Sequence, residues 1–387
     1  MRTMHTLLAA VMAVALLAAP ADAQDGTGRQ RLVFQKQARA RAVRAQKLQL
    51  QETQQTREQA QRQARQQAQR QREDAQRRAR QQAQRQRAQQ QREATRNWPV
   101  VTEAFTQTLR LGRNGTFDLQ NAAGNIVVRG GGGDEVRIDA VKSVRHRVES
   151  TARAALPELR INVIERGGNV EVRTEQPRRG NAVSSVEYTV AVPRGASVVL
   201  QTVSGDVRVT DIAGELRVQS ASGSITAASV RRVRELRSVS GTIDVSDGES
   251  DELTAHTLGG DVLVRNLKGR VLDLQTVTGD VRLIGVEVDR ARLESMAGDL
   301  DYAGRLARSG RYDFQTHSGD IRVSPSGNPG FDLQATSFNG ALRSEYALKA
   351  AQTDARAPGQ SLNGTFGDAS AAITAQSFSC DVLILKR

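Results

Sequence analysis

The chain has 387 residues, of which 25% are charged and only 3% aromatic. Its single cysteine, Cys380, excludes an intramolecular disulfide framework. The net charge of +13 is confined to residues 24–97, which carry 19 Lys and Arg against 6 Asp and Glu, while 98–387 balances 35 against 35, so a generally basic binding surface is excluded for the larger part.

Residues 1–23 read as a secretory signal peptide. Arg2 supplies the positive start, Leu7 to Ala19 the apolar stretch, and Ala21-Asp22-Ala23 a small-residue cleavage site. The apolar run is short for a membrane span. No cysteine follows the cleavage site, which argues against a lipoprotein anchor, and no later segment is apolar enough to cross a bilayer as a helix. The expectation is an exported protein, periplasmic or extracellular, with no transmembrane segment in the mature chain.

Residues 24–97 form a Gln/Arg/Ala-rich cationic arm. Two near-copies start at Ala60 and Ala75, and alanines recur at near-helical spacing. Ala, Gln and Arg favour helix, but the large apolar residues of a coiled-coil seam are missing. The arm is expected to be a solvated helix or a disordered tether. A polycation of this kind grips anionic polymer through phosphate-type contacts that salt weakens. Aromatics that could stack on bases are absent from Gln35 to Asn97, so specific nucleic-acid recognition is not expected. The expected partner is an anionic envelope polymer or lipid surface, with a protein partner left open.

Trp98-Pro99 marks a boundary, because the residue before proline resists helix. Residues 98–200 then carry short alternating runs at 125–129, 135–139, 169–173 and 186–192, separated by Gly, Pro or Asn turns. Gly130 to Gly133 reads as a flexible turn rather than a phosphate loop, since no Lys-Ser/Thr follows. Only residues near 145–156 could hold a short helix. This region is expected to cap or start the architecture that follows.

Residues 201–387 repeat. The phrase Val-Ser-Gly-Asp-Val-Arg-Val at 203–209 returns as Val-Ser-Gly-Thr-Ile-Asp-Val at 239–245, Leu-Gly-Gly-Asp-Val-Leu-Val at 258–264 and Val-Thr-Gly-Asp-Val-Arg-Leu at 277–283. The glycine column is Gly205, Gly223, Gly241, Gly260, Gly279, Gly298, Gly319 and Gly340, spaced 18 to 21 residues apart. Such a period marks stacked coils. Apolar residues five before and two and four after each glycine predict two short strands joined at Ser-Gly-Asp. The glycine is expected to supply a positive-φ turn position. The acids Asp206, Asp261, Asp280, Asp299, Asp320 and Asp381 are expected to accept local backbone N–H groups. A Ser or Thr stands three before the glycine, as at Thr202 and Thr276, and Gln recurs four before, as at Gln201 and Gln275. Both are expected to bond along the stack, as amide ladders do. About ten coils would make a prism roughly 50 Å tall. The stretch Glu345 to Gln360 is a candidate cap, and terminal Lys386-Arg387 would discourage end-to-end stacking.

The repeated Ser-Gly-Asp/Thr turn, the entry Val190-Ala-Val-Pro-Arg-Gly-Ala196 and the closing Phe378-Ser-Cys-Asp-Val-Leu-Ile384 resemble the DUF4097 β-strand-repeat family over roughly 105–387. The resemblance implies an all-β, right-handed β-solenoid-like domain, often exported and labelled adhesin by analogy. It brings no catalytic residues. Cys380 departs from the usual glycine, and Asn339-Gly340-Ala341 lacks the acid.

No catalytic, cofactor-binding or metal-ligating residues are expected. A calcium site needs six to eight oxygens per ion, and the repeat offers one Asp per coil. His146, His256 and His317 fall at unrelated places in the repeat, with no metal-ligand spacing. Cys380 reads as a small turn residue. The reading is a non-enzymatic cell-envelope interaction protein. The alternatives are a scaffold that self-associates through the arm, and a polysaccharide-active β-helix enzyme.

Overall fold

The computed structural model describes residues 97–177, 182–327, 330–354 and 359–386. The signal and all but the last residue of the cationic arm lie outside the described residues. Among the described residues no helix is long and apolar enough to cross a membrane.

Each repeat is a strand, a tight turn at the glycine column, and a second strand. Successive repeats pair in parallel, so equivalent side chains stand above one another. Leu200 pairs with Val218, Val218 with Leu236, and Leu274 with Leu293. Beyond the turn, Val207 pairs with Ile225, and Val262 with Val281. All of these are fully buried or within 1% of it. Alternation turns one face of every strand into a core shared by all coils, each buried Val, Leu or Ile adding about 1.5–3 kcal/mol relative to exposure. Size is matched across coils. Phe314 lies against Ala375, which lies against Ala335, so a large side chain is followed by two small ones.

A second corner follows six residues after the glycine. Asp211, Ser229, Asp247 and Asn266 there adopt φ of 60°, 55°, 52° and 51°. Asp and Asn tolerate this left-handed region better than most residues. Asn266 donates its amide to Asp247 Oδ1 of the preceding coil at 2.9 Å. The sequence reading missed this corner, because its residue type changes from coil to coil.

The stack begins with strand Thr116–Ala123, which pairs in parallel with Ser197–Ser204 on one side and Asn169–Glu175 on the other. Antiparallel layers cover this end: Arg160–Arg166 on Asn169–Glu175, Glu135–Arg145 on Val183–Pro193, and Val100–Arg110 outermost. The helix is Glu149–Ala155. Gly130 and Gly131 are not a turn; they continue strand Ile126–Gly131. A Cβ on Gly130 would meet the Asp211 carbonyl oxygen at 1.9 Å, so close approach of the next coil demands glycine there.

The C-terminal coils are not in sequence order. Strand Ala371–Ser377 pairs with Leu300–Ser318 on one side and with Phe331–Ser337 on the other. The final strand, Val382–Ile384, lies between Ile321–Ser326 and Leu342–Ser344 in the same way. The last coil by sequence is therefore inside the stack, and the coil around Gly340 is outermost. The expectation that Lys386-Arg387 guards the end is corrected accordingly. The antiparallel strands Gln360–Phe366 and Lys349–Asp354 cover the outermost coil instead. Ten coils then stack through about 43 Å at the ~4.8 Å strand spacing. The described part is an all-β, solenoid-like domain.

Candidate functional site

The turn is built by contacts between coils. Gly279 shows why glycine stands there: its φ is 146°, and a Cβ would lie 2.2 Å from the Gly260 carbonyl oxygen. Gly298 and Gly340 lack the positive φ, yet a Cβ on either would meet the neighbouring coil's carbonyl oxygen at 1.9 Å. Close approach of the coil below is thus common to the column, and positive φ belongs to most of it. Gly205, Gly223, Gly241 and Gly319 share both features.

The backbone N–H groups that the acids accept come from the next coil and not from their own turn. Asp206 Oδ1 accepts the Ser224 N–H at 2.8 Å, and Asp261 Oδ1 accepts the Asp280 N–H at 2.9 Å. Asp280 accepts from Asp299 at 3.0 Å and Asp299 from Asp320 at 2.9 Å. The ladder then passes from Asp320 to Asp381 at 3.2 Å and from Asp381 to Ala341 at 2.8 Å, following the order of coils in space. Arg322 ties Asp299, Asp301 and Asp320 at 2.9, 3.4 and 2.6 Å. Burial pushes the Asp299 carboxyl up, but the Asp320 N–H and the Arg322 guanidinium outweigh it and hold the group below its ordinary value. Among the described residues no group of three or more His, Cys, Asp or Glu side chains could hold a metal ion.

The hydroxyl column is also redirected. It does not form a ladder of its own; Thr202 and Ser220 find no partner among the described residues, and from Ser238 onward the hydroxyls donate to the turn carbonyl of the neighbouring coil, as Thr276 to Gly260 at 3.1 Å, Ser295 to Gly279 at 3.2 Å and Thr316 to Gly298 at 3.2 Å. Ser337 reaches the Cys380 carbonyl at 2.9 Å, so Cys380 serves as one rung of the turn. The Gln column points to solvent without bonding from coil to coil among the described residues. Gln275 turns its amide to Asp273 on its own strand at 3.1 Å.

With these groups occupied, the open feature is a furrow of about 1650 Å³ that follows the strands entering the turns. One flank is the Gln column. The other is a column two residues before the glycine, occupied by Val203, Val239, Leu258, Val277 and Met296. Val203 is 60% exposed and Met296 61%. At the far end the column turns aromatic. His317 stacks on Phe378 at 4.7 Å, and Phe378 on Phe338 at 4.9 Å.

Isolated exposed apolar residues are ordinary on protein surfaces. Here, of the thirteen exposed large apolar side chains among the described residues, seven share this one column, and they include both aromatic rings of the set. A column of apolar side chains clustered in this way is a candidate interaction surface. The furrow also carries little free charge. Arg237 is paired with Glu235, and Glu294 with Arg292. The reading from sequence missed the apolar column, although Val203, Val239, Leu258 and Val277 open the repeated phrase.

Comparison with known proteins agrees with this geometry for the fold. No curated protein matches the chain. A crystal structure of a proposed cell adhesion protein from Clostridium sporogenes aligns over its full length with 74% of this chain, at 11% identity and a TM-score of 0.21, a likeness too slight to carry any argument about fold or function. The Toastrack DUF4097 model matches residues 117–384, from the first strand of the stack to the last. The chain belongs to the Toastrack DUF4097 family.

Proposed function

We propose that this protein is an exported, non-enzymatic interaction protein of the cell envelope, with the furrow as its recognition face and the 24–97 arm as an electrostatic attachment. One observation carries the reading: a solvent-open apolar column runs beside polar side chains along the stack, while the acids and most of the hydroxyls at the turns hold the coils together, Thr202 and Ser220 excepted. The turn acids and most of the turn hydroxyls serve the stack, whereas the apolar column is open to solvent among the described residues. The 19 basic residues of 24–97 support attachment to anionic envelope polymer or lipid head groups.

The test is co-sedimentation of 24–387 and 98–387 with isolated envelope fractions across a salt series. Both forms are expected to bind, the longer more tightly at low salt, with the difference vanishing at high salt. Loss of all binding on removal of the arm would leave the furrow without a role in attachment.

A further inference from the structure

The furrow has a defined step, and that step selects among ligands. Its columns repeat once per coil, about every 4.8 Å along the stack. An extended peptide presents same-face side chains about every 6.6–6.8 Å, so along this axis it would fall out of register within a few coils. An acyl chain has no polar group to meet the amides. An extended 1,4-linked glycan advances by close to one coil step per sugar ring. Each pyranose also has two characters, an apolar C–H face and a rim of hydroxyls. The furrow has the same two characters side by side: Leu258, Val277 and Met296 on one flank, and on the other Gln275 and Gln315 interspersed with His256 and Glu294. A primary amide both donates and accepts, which suits a hydroxyl that does both. A carboxylated or phosphorylated polymer would need free cations, and the furrow's Arg237 is paired with Glu235.

Resting on the reading of the furrow as a recognition face, we propose that it binds an uncharged 1,4-linked glycan strand laid along the stack axis, one sugar per coil. Apolar contact with the column supplies the attraction, and the amides fix the strand's rotation.

The test uses the full mature chain, 24–387, and uncharged β-1,4-linked glucose and N-acetylglucosamine oligomers of two to eight units, with binding measured by calorimetry at high salt. Affinity is expected to rise with each added sugar and to fall at least tenfold in the double variant Leu258→Ser, Met296→Ser. Both side chains are exposed, and unchanged thermal unfolding verifies that the variant folds. Ile284→Ser, an exposed residue outside the furrow, should bind as the parent does. The same variants are run against isolated envelope fractions at high salt. If the double variant loses envelope binding but no oligomer binds the parent at millimolar concentration, the recognition face stands and the glycan is the wrong ligand. If oligomers bind parent and double variant equally, the proposed site is wrong. If envelope binding is also unchanged in the double variant, the recognition face itself is wrong.

Discussion

The strand entering each glycine turn and the strand leaving it share one core but present different outer surfaces. On the leaving side, charges are spent between coils: Arg265 holds Asp244 at 2.8 Å, Arg282 holds Asp301 at 3.2 Å, and Arg322 binds three aspartates. On the entering side, beside the turn, stand Val203, Leu258 and Met296, exposed to solvent beside Gln201, His256 and Glu294. The first surface stabilises the stack, and the second leaves apolar area in water. A repeat can therefore preserve its architecture through one set of columns and offer the other to a partner.

Breaking the shared turn gives the largest effect. Gly279→Ala places a methyl 2.2 Å from the Gly260 carbonyl and forces φ of 146° on a residue with a Cβ. The expected cost is about 3 kcal/mol or more, read as a drop in thermal midpoint or as failure to fold. Thr276→Val keeps the shape but removes the bond to the Gly260 carbonyl. It should cost about 1 kcal/mol in denaturant titration, and an unchanged midpoint would show that the hydroxyl column is incidental.

The leaving surface should report on pH. The Asp299 carboxyl sits below its ordinary value of 3.8, so its contribution is complete above that value and is lost as pH falls through the lowered one. Acid unfolding followed by circular dichroism should come at higher pH in Arg322→Met. Identical acid profiles would remove the ion pair from the account.

Asp118, in the first coil, behaves oppositely. Burial and the nearby Glu171 push its carboxyl up. A raised value means the charged form opposes folding, so stability falls as pH rises through it. Asp118→Asn should therefore raise the thermal midpoint at pH 7 and leave it little changed at pH 3. The smallest effect belongs to the entering surface. Leu258→Ser should change stability by no more than about 0.5 kcal/mol, because an exposed side chain has little packing to lose.

The strand–turn–strand unit was legible because alternation and the glycine follow directly from pleat geometry and close coil approach. The coil order was not. The period of Gly319, Gly340 and Cys380 says that each occupies a rung, but nothing in the spacing says that 371–384 slips between its two predecessors. Asp was read as a local turn acceptor and Ser/Thr as a ladder along the stack, and the spacing does not name the partner each finds one coil away, a backbone N–H for Asp261 and the Gly260 carbonyl for Thr276. The apolar column went unread for a different reason. A valine beside a Ser-Gly turn looks incidental in one repeat, and its meaning appears only when ten copies line up in space.

The central claim is that the entering surface recognises the envelope while the leaving surface only builds the stack. The most direct measurement is high-salt co-sedimentation of the full mature chain with envelope fractions, comparing parent with Leu258→Ser, Met296→Ser. The account predicts that the folded double variant stays in the supernatant while the parent pellets. Equal pelleting of the two would contradict it.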